Sequence, residues 1–395
     1  MPEPSIVGAA ERVPAWPGAG NANRAVIVVP DFHATLGGTV RQATNHARGL
    51  AALGMSAQVV TRRYKGAWSR HEVVQGITVR RFGFPGRGAL SEKASLVSLW
   101  WWLAMRRNSF AMVQTIMYSD FAIMAALAGL RPKTIVIWAA QGEASDVLGP
   151  ARDPLRQAQR LFRRRVLKGC RQVALTPSIE EELRGLGLRH CTVIPVPVDG
   201  SRFRVPHPDE RAAARRRLGL GERELTFIYA GRFDTDKGLD RLAEAVAAVV
   251  AAGFPARLVL VGGGEVDALR AALRSSGMES LTILPGVVDD VETYLWASDV
   301  FVLPSVREGL SNSLAEAMSC GLACVAAPEA GGDQVLYGGA GLVPASASTA
   351  DLTEALLRLA GDETVRCGLG ERAVARATIF AADRVASTYS ALLGG

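Results

Sequence analysis

Short apolar runs alternate with segments of helical spacing along almost the whole chain, and this alternation restricts the fold more than any other feature. The runs are strand-length and rich in β-branched residues, whereas the segments between them are long enough for helices. The first series runs from "RAVIVVP" (24–30) through "SAQVVT" (56–61), and ends at "CTVIPV" (191–196). A second series runs from "LTFIYAG" (225–231) to "AGLVPA" (340–345). Strands that alternate with helices predict parallel sheets covered on both faces.

The alternation stops between residues 199 and 224, where prolines, a polar turn and a short basic helical segment predict a linker. We therefore predict an α/β protein of two doubly wound, Rossmann-like domains that face a central cleft, where the carboxyl ends of their strands meet. The boundaries that we predict are a loose tail at 1–23, domains at 24–198 and 199–378, and a helix at 379–395 that returns to the first domain. The tail lacks the basic start and apolar segment of a signal peptide.

Positive charge is clustered in "RQAQRLFRRRVLKGCR" (156–171), although the net charge of the chain is only +7. This stretch is typical of an amphipathic surface helix with a solvated face. The alternative is a patch for an anionic partner, either membrane headgroups or an acidic substrate. Nucleic acid is disfavoured because no recognition module accompanies the patch.

The most apolar run, "ASLVSLWWWLAM" (94–105), stops after 12 residues and is too short to span a bilayer. We interpret its Trp100–Trp102 cluster as part of a partly buried helix with core contacts. The alternatives are an interfacial membrane anchor and an apolar wall of an acceptor site. The 5 cysteines, an odd number without a CxxC pair, indicate reduced thiols and a cytoplasmic protein, with the inner face of the cell membrane as an alternative location.

Two motifs combine glycine or cationic residues with strand ends. Gly37 and Gly38 precede a helix that we predict to start at Thr39, where free N–H groups and the helix dipole favour a phosphate. In "AGRFDTDKGLD" (230–240), Arg232 and Lys237 follow a strand and suit a diphosphate, because Arg donates in pairs and Lys adds a compact charge. We interpret the DxD pattern at 234–236 as chance rather than as a metal site.

The third motif, "VREGLSNSLAEAMSCG" (306–321), places Glu308 in a loop and Glu316 in the following helix. Ser313 and Glu316 also fit a capping box, which is the structural interpretation of Glu316. The functional interpretation is that each carboxylate accepts hydrogen bonds from hydroxyls at one end of a polyol ligand. The chain has 5 histidines and none has the spacing of a metal site or a catalytic triad, so a Ser/His/Asp hydrolase is disfavoured.

Taken in order, "GRFDTDKGLD", "LVLVGGGE" and "LPGVVDDVETYLWASDVFVLPSVREGLSNSLAEAMSCG" resemble the retaining, GT-B-fold glycosyltransferases of family 4, whose E-x7-E motif Glu308 and Glu316 match. The resemblance implies that the first domain binds the acceptor and the second the nucleotide sugar. It implies catalytic roles for Arg232 and Lys237 on the donor diphosphate and for Glu308 on the donor sugar. The remaining donor-binding residues that it implies are Gly37, Gly38, Gly231, Gly309, Leu310, Ser311, Asn312 and Glu316. It also implies that no metal or cofactor is needed beyond the donor substrate.

One position departs from the family pattern. After "KTIVIWAA", where many members of the family carry His-Gly, this chain has Gln141-Gly142. Unlike His, Gln cannot become protonated and positively charged, although its amide can hydrogen-bond a sugar hydroxyl. Glu143 and Asp146 follow, either as acceptor ligands or as caps of the next helix. The acceptor or sugar contacts that we predict are Gln141, Gly142 and Glu143.

The function that the resemblance implies is retaining transfer of a hexose-type sugar from a nucleotide-diphosphate sugar to an acceptor hydroxyl, in bacterial cell-surface glycan, glycolipid or secondary-metabolite synthesis. The acceptor would be a carbohydrate, a lipid-linked sugar or a small molecule. The alternatives are a phosphorylase, a sugar-nucleotide epimerase and a non-catalytic binding protein of the same fold. Arg232 and Lys237 are both predicted to be exposed, so their loss should lower turnover more than stability.

Overall fold

The computed structural model describes residues 24–394, apart from residues 31, 33–37, 67, 75, 87, 117–119 and 222. The chain divides into two compact units. The first unit combines the residues up to Pro197 with the terminal segment from Ala382, and the second is Val198–Ala381. The divisions thus lie at residues 198 and 382, and the corresponding boundaries predicted from the sequence are residues 199 and 379.

Strands and helices alternate within each unit. The strands are β1 (Arg24–Val28), β2 (Ser56–Arg62), β3 (His71–Val74), β4 (Ile77–Phe82), β5 (Met112–Ile116), β6 (Thr134–Trp138), β7 (Arg171–Ala174), β8 (Cys191–Val193), β9 (Leu225–Phe233), β10 (Ala256–Gly264), β11 (Thr282–Gly286), β12 (Val300–Leu303) and β13 (Ala323–Ala326). The helices are α1 (Gly38–Ala52), α2 (Ala89–Met105), α3 (Asp120–Ala125), α4 (Glu143–Leu148), α5 (Pro154–Leu167), α6 (Pro177–Gly185), α7 (Pro208–Arg217), α8 (Leu239–Ala251), α9 (Val266–Ser275), α10 (Val291–Ala297), α11 (Asn312–Ser319), α12 (Gly332–Val335), α13 (Thr349–Gly361), α14 (Glu363–Ala377) and α15 (Ala382–Gly394).

The first unit is built on an eight-stranded sheet in the order β3-β4-β2-β1-β5-β6-β7-β8. Its pairs are parallel except β3 with β4. The central strands are buried along their length, because helices cover them. α15 packs against α1, whereas α3 packs against both α2 and α5.

The second unit has a five-stranded parallel sheet in the order β11-β10-β9-β12-β13. The chain moves outward from β9 through β10 to β11, and then crosses to β12 on the other side of β9. The strand order therefore reverses between β9 and β12. In open α/β sheets, ligands bind at the carboxyl ends of the strands that flank such a reversal.

Two predicted strand assignments differ from the structure. β3 was not predicted; its four residues alternate between exposed and half-buried positions at the sheet edge, so they form no apolar run. The segment 340–345, predicted as a strand, makes a single bridge between Val325 and Leu342. Its glycine and its proline leave few residues that can extend a ladder.

The Trp100–Trp102 cluster lies in α2 and is only partly in the core. Trp102 is 5% exposed and packs against Phe82 and Phe110, with ring centroids 5.4 Å and 5.2 Å away. Trp100 and Trp101 are 39% and 59% exposed. The predicted core contacts therefore apply to one tryptophan of the three. Within the described part of the chain, every helix is too short or too polar to cross a bilayer.

Candidate functional site

The second unit brings two of the sequence motifs together at the reversal of its strand order. β9 ends at Phe233 and leads into a short turn, Thr235–Lys237, before α8. β12 ends at Leu303 and leads through a loop into α11. A backbone hydrogen bond of 3.0 Å from Val306 N to Asp236 O joins the loop to the turn. Motifs 70 residues apart in sequence therefore form one surface.

Lys237 and Glu308 form an ion pair at the centre of this surface. Lys237 Nζ lies 2.5 Å from Glu308 Oε2, and it also donates to the carbonyl oxygen of Arg307 at 3.3 Å. Asp236 Oδ2 is 3.4 Å from the same nitrogen. The side chains of Lys237 and Glu308 are 11% and 23% exposed. The prediction that Lys237 is exposed was therefore wrong, because the loop after β12 covers it.

Arg232, in contrast, is exposed as predicted. Its Nη1 lies 2.9 Å from Asp234 Oδ2, and 77% of its side chain is accessible. Asp234 and Asp236, the two carboxylates of the DxD pattern, thus lie beside Arg232 and Lys237 respectively. Because a solvated ion pair is weak, an anionic ligand can compete with Asp234 for the guanidinium.

Glycine is required at two positions of this surface. A Cβ on Gly231 would lie 2.5 Å from Tyr229 Oη, which donates to the carbonyl oxygen of Arg232 at 2.9 Å. Gly238 has a φ of 65°, and a Cβ there would lie 2.5 Å from the carbonyl oxygen of Pro304. At both positions a neighbouring atom lies too close for a residue with a Cβ. Burial, and then the charge of Glu308, raises the pKa of Tyr229, so its hydroxyl stays protonated and can donate.

The start of α11 contradicts the capping box that the sequence predicted. The N-cap is Ser311, whose backbone is extended and whose hydroxyl accepts from Leu314 N at 3.4 Å. Ser313 lies inside the helix, so Glu316 has no capping role there. Glu316 is 1% exposed in the second turn of α11. Burial, and then the Glu316 carboxylate, raises the pKa of Cys320.

The residues flanking this cap are those that the resemblance assigned to donor binding. Gly309 and Asn312 are half-buried, and Leu310 is buried. Together with Ser311 they lead from Glu308 into the N-terminus of α11. The N–H groups at the start of a helix favour an anion or a hydrogen-bond acceptor.

In the first unit, only part of the predicted glycine loop can be placed. Gly37 lies outside the described residues, and Gly38 is the first residue of α1, one position before the predicted start. α1 follows β1, and the strand order of this sheet reverses between β1 and β5.

The segment Gln141-Gly142-Glu143 follows β6 and is held by two carboxylates. Glu143 Oε2 accepts from the N–H groups of Ala139 and Ala140 at 3.1 and 3.3 Å, so its carboxylate binds the preceding turn rather than capping α4. Gln141 is exposed. Gly142 has a φ of 83°, which favours glycine.

Glu182 of α6 is the second carboxylate, and it is not among the site residues predicted from the sequence. Its Oε2 accepts from Gly142 N at 2.8 Å and its Oε1 from Ser145 N at 2.6 Å. It therefore caps the start of α4 from a separate helix. The sequence offered only a Glu in an amphipathic helix, and such a residue is usually solvated.

The comparisons with known proteins place the chain beside glycosyltransferases. Two family models match, described as "Glycosyl transferase 4-like domain" over residues 37–198 and "Glycosyl transferases group 1" over residues 224–362. The two matches fall on the two structural units in turn.

Two curated relatives and one solved structure illustrate the similarity. A D-inositol 3-phosphate glycosyltransferase of Nocardia farcinica is 33% identical over 54% of this chain and 50% of its own length. A GDP-mannose-dependent monoacylated alpha-(1-6)-phosphatidylinositol monomannoside mannosyltransferase of Corynebacterium glutamicum is 28% identical over 45% and 49%. The matches thus span about half the length of these relatives. A sucrose-phosphate synthase from Thermosynechococcus elongatus superposes with a TM-score of 0.74 at 21% identity, covering 93% of this chain and 98% of that one, which shows a shared fold.

Proposed function

Because the chain belongs to the family 4 glycosyltransferases of the GT-B fold, we propose that it transfers a hexose-type sugar, with retention of configuration, from a nucleotide-diphosphate sugar to an acceptor hydroxyl. The acceptor that we propose is a carbohydrate, a lipid-linked sugar or a small molecule of bacterial glycan, glycolipid or secondary-metabolite synthesis. The observation that carries the proposal is the ion pair of Lys237 and Glu308 at the reversal of strand order in the second unit.

This pair suits a donor that carries a diphosphate next to a polyol. The ammonium group of Lys237 is held by Glu308 and by the Arg307 carbonyl oxygen. A diphosphate offers a stronger anionic partner, so its binding would draw Lys237 toward phosphate. Glu308 would then be free to accept hydrogen bonds from sugar hydroxyls. The move of Lys237 from Glu308 to the diphosphate would thereby couple recognition of the diphosphate to recognition of the sugar.

Arg232 and Lys237 would also stabilise the leaving group. Negative charge increases on the nucleotide diphosphate as the bond to the sugar breaks, and positive groups already in place stabilise that charge without reorganisation. We propose that these two side chains and the start of α11 supply the positive potential, with no metal required. The acceptor hydroxyl would lose its proton to the departing phosphate, in a front-face attack through an oxocarbenium-like state.

Glu316 would bind the ribose hydroxyls of the donor. It is almost fully buried, and a buried carboxylate retains strong acceptor capacity for hydroxyl donors. In the first unit, Gln141 is exposed on a turn fixed by Glu143 and Glu182, and we propose that its amide contacts a sugar hydroxyl.

The test is incubation of the full chain with labelled GDP- and UDP-sugars and a panel of acceptors that includes inositol phosphate, lipid-linked sugars and simple glycosides. A glycosylated product with the anomeric configuration of the donor supports the proposal. Release of an epimerised nucleotide sugar, or phosphate-dependent formation of a sugar phosphate, would replace it with one of the alternative enzymes. Donor binding without any product would favour a non-catalytic binding protein.

A further inference from the structure

One side of α2 presents large apolar side chains to solvent. Leu90, Val97, Trp101 and Met105 are 73%, 62%, 59% and 66% exposed, and their spacing of seven, four and four residues places them on one face. Trp102, on the opposite side, packs in the core. A stripe of this size on a helix is typical of an interaction site rather than of an ordinary solvated surface.

α5 also exposes apolar side chains, and it adds positive charge. Leu155, Leu161 and Phe162 are 78%, 52% and 52% exposed. Residues 154–168 contain six cationic and no acidic side chains. Arg165 and Lys168 follow Leu161 by four and seven residues, so they lie on its face of the helix.

These cations differ in how they are used. Arg163 Nη2 pairs with Asp120 Oδ1 of α3 at 2.8 Å, and Arg160 donates to backbone carbonyl oxygens of α4 and of the residue that follows it. Arg165 and Lys168 are exposed and have no ion-pair partner among the residues that the structure describes. Their charge is therefore available to an external partner.

α2 and α5 belong to the same helical layer of the first unit. α3 packs against both, and the turn Ala126–Leu130 that follows α3 also packs against both. Leu127 in that turn is 42% exposed, so the element that packs against both helices also exposes an apolar side chain. We call the exposed side chains of α2, this turn and α5 the α2–α5 surface.

We propose that the α2–α5 surface docks on an anionic lipid bilayer. The apolar side chains would enter the headgroup boundary, where tryptophan is favoured, while Arg165 and Lys168 would approach the lipid phosphates. This assignment deepens the proposed function, because a lipid-linked acceptor would be reached from the bilayer, but it depends only on the side chains of this surface.

Charge distinguishes a bilayer from a second copy of the chain. In a symmetric dimer through this surface, α5 of one copy would meet the same cationic surface of the other, and like charges brought together oppose association. An anionic bilayer accepts both the apolar stripe and the cations.

The test is flotation of the full chain with vesicles of phosphatidylcholine alone and with about one-third phosphatidylglycerol. We expect binding to the anionic vesicles that high salt weakens, with a blue shift of tryptophan emission. Trp101→Ser combined with Val97→Ser, and separately Arg165→Glu combined with Lys168→Glu, should each weaken binding at least about tenfold, since each basic residue contributes about fivefold. Val73→Ser, an equally exposed change on β3, and Arg216→Glu on α7 are the matched controls.

Three outcomes would overturn the proposal. The first is no binding of the unmodified chain to anionic vesicles, and the second is equal binding by the α2–α5 variants and their controls. The third is a dimer in solution that Trp101→Ser dissociates, without vesicle binding, which would assign the surface to a second copy. Variants of the α2–α5 surface should still transfer sugar to a water-soluble acceptor. Failure of docking is therefore distinguishable from failure of the proposed transfer.

Discussion

Lys237 Nζ and Glu308 Oε2 lie 2.5 Å apart, although Lys237 follows β9 and Glu308 follows β12. In the sequence, β10 and β11 lie between these two strands, whereas in the sheet β9 and β12 are neighbours. The pair is mostly shielded from water. Removal of one charge would therefore leave the other without a partner and poorly solvated, which lowers the stability of the fold. The proposed recognition of the donor and the stability of the unit therefore depend on the same two side chains.

Replacement of Lys237 should affect stability as well as turnover. Lys237→Met leaves the Glu308 carboxylate without its cation, and we expect a loss of roughly 1–2 kcal/mol in the free energy of unfolding, less than for a fully buried pair because Glu308 is partly solvated. The double variant with Glu308→Gln removes both charges and should recover part of that loss while remaining inactive. Denaturant unfolding measures the first effect and turnover the second. Equal stability of the single and double variants would contradict the coupling.

Replacement of Arg232 should lower turnover with almost no effect on stability. Its side chain is 77% exposed and its pair with Asp234 is solvated, so Arg232→Ala should change the free energy of unfolding by less than about 0.5 kcal/mol. Without the guanidinium of Arg232, the negative charge on the leaving diphosphate is less stabilised, so kcat should fall about 100-fold. Arg216→Ala, at an exposed position of α7, is the matched control. A fully active Arg232→Ala enzyme would exclude Arg232 from the diphosphate site.

Glu182 should act as a positioning residue for the Gln141 turn. Glu182→Ala removes the acceptor of both Gly142 N and Ser145 N, so the turn should lose its fixed conformation and KM for the sugar substrates should rise several-fold. Glu181→Ala, next to it and exposed, is the control. Glu182→Gln keeps one strong acceptor and should restore part of the loss. A Glu182→Ala enzyme with unchanged KM and kcat would restrict this residue to a structural role.

His46 should make the first unit sensitive to acid. Burial lowers the pKa of His46 from 6.5 to about 3, and its ring lies edge-on to Tyr389 of α15 with centroids 5.0 Å apart. The unfolded chain therefore binds a proton near pH 6.5 that the folded chain does not, and stability falls as the pH drops through this window. We expect a loss of about 2 kcal/mol between pH 6.5 and pH 5.

The measurement for His46 is the free energy of unfolding against pH. His46→Gln cannot titrate, so its curve should be flatter between pH 6.5 and pH 5 than that of the unmodified chain. His71→Gln, at an exposed position, is the control. Parallel curves for all three proteins would show that another group accounts for the acid sensitivity.

The fold could be predicted from the sequence because buried parallel strands form continuous apolar runs, as in "LTFIYAG" and "TIVIW". Elements without such runs, like the edge strand β3, gave no signal. Capping was ambiguous because Ser311 and Ser313 are the same residue type two positions apart, and only backbone conformation distinguishes them.

Burial at the candidate site was harder to predict than residue identity. Lys237 is covered by a loop that starts more than 60 residues later, and its burial depends on the adjacency of β9 and β12. The orientation of α2 was also not predictable, because apolar residues surround most of its last three turns and leave no polar face to mark the solvent side.

Calorimetric titration of the full chain with nucleoside diphosphates and their sugar conjugates tests the central claim most directly. We expect Lys237→Met to weaken binding of the free nucleoside diphosphate and of the nucleotide sugar alike. Glu308→Gln should keep the affinity for the nucleoside diphosphate and lose the additional affinity that the sugar confers. If Lys237→Met bound the nucleoside diphosphate as tightly as the unmodified chain does, the assignment of this ion pair to the donor would be wrong.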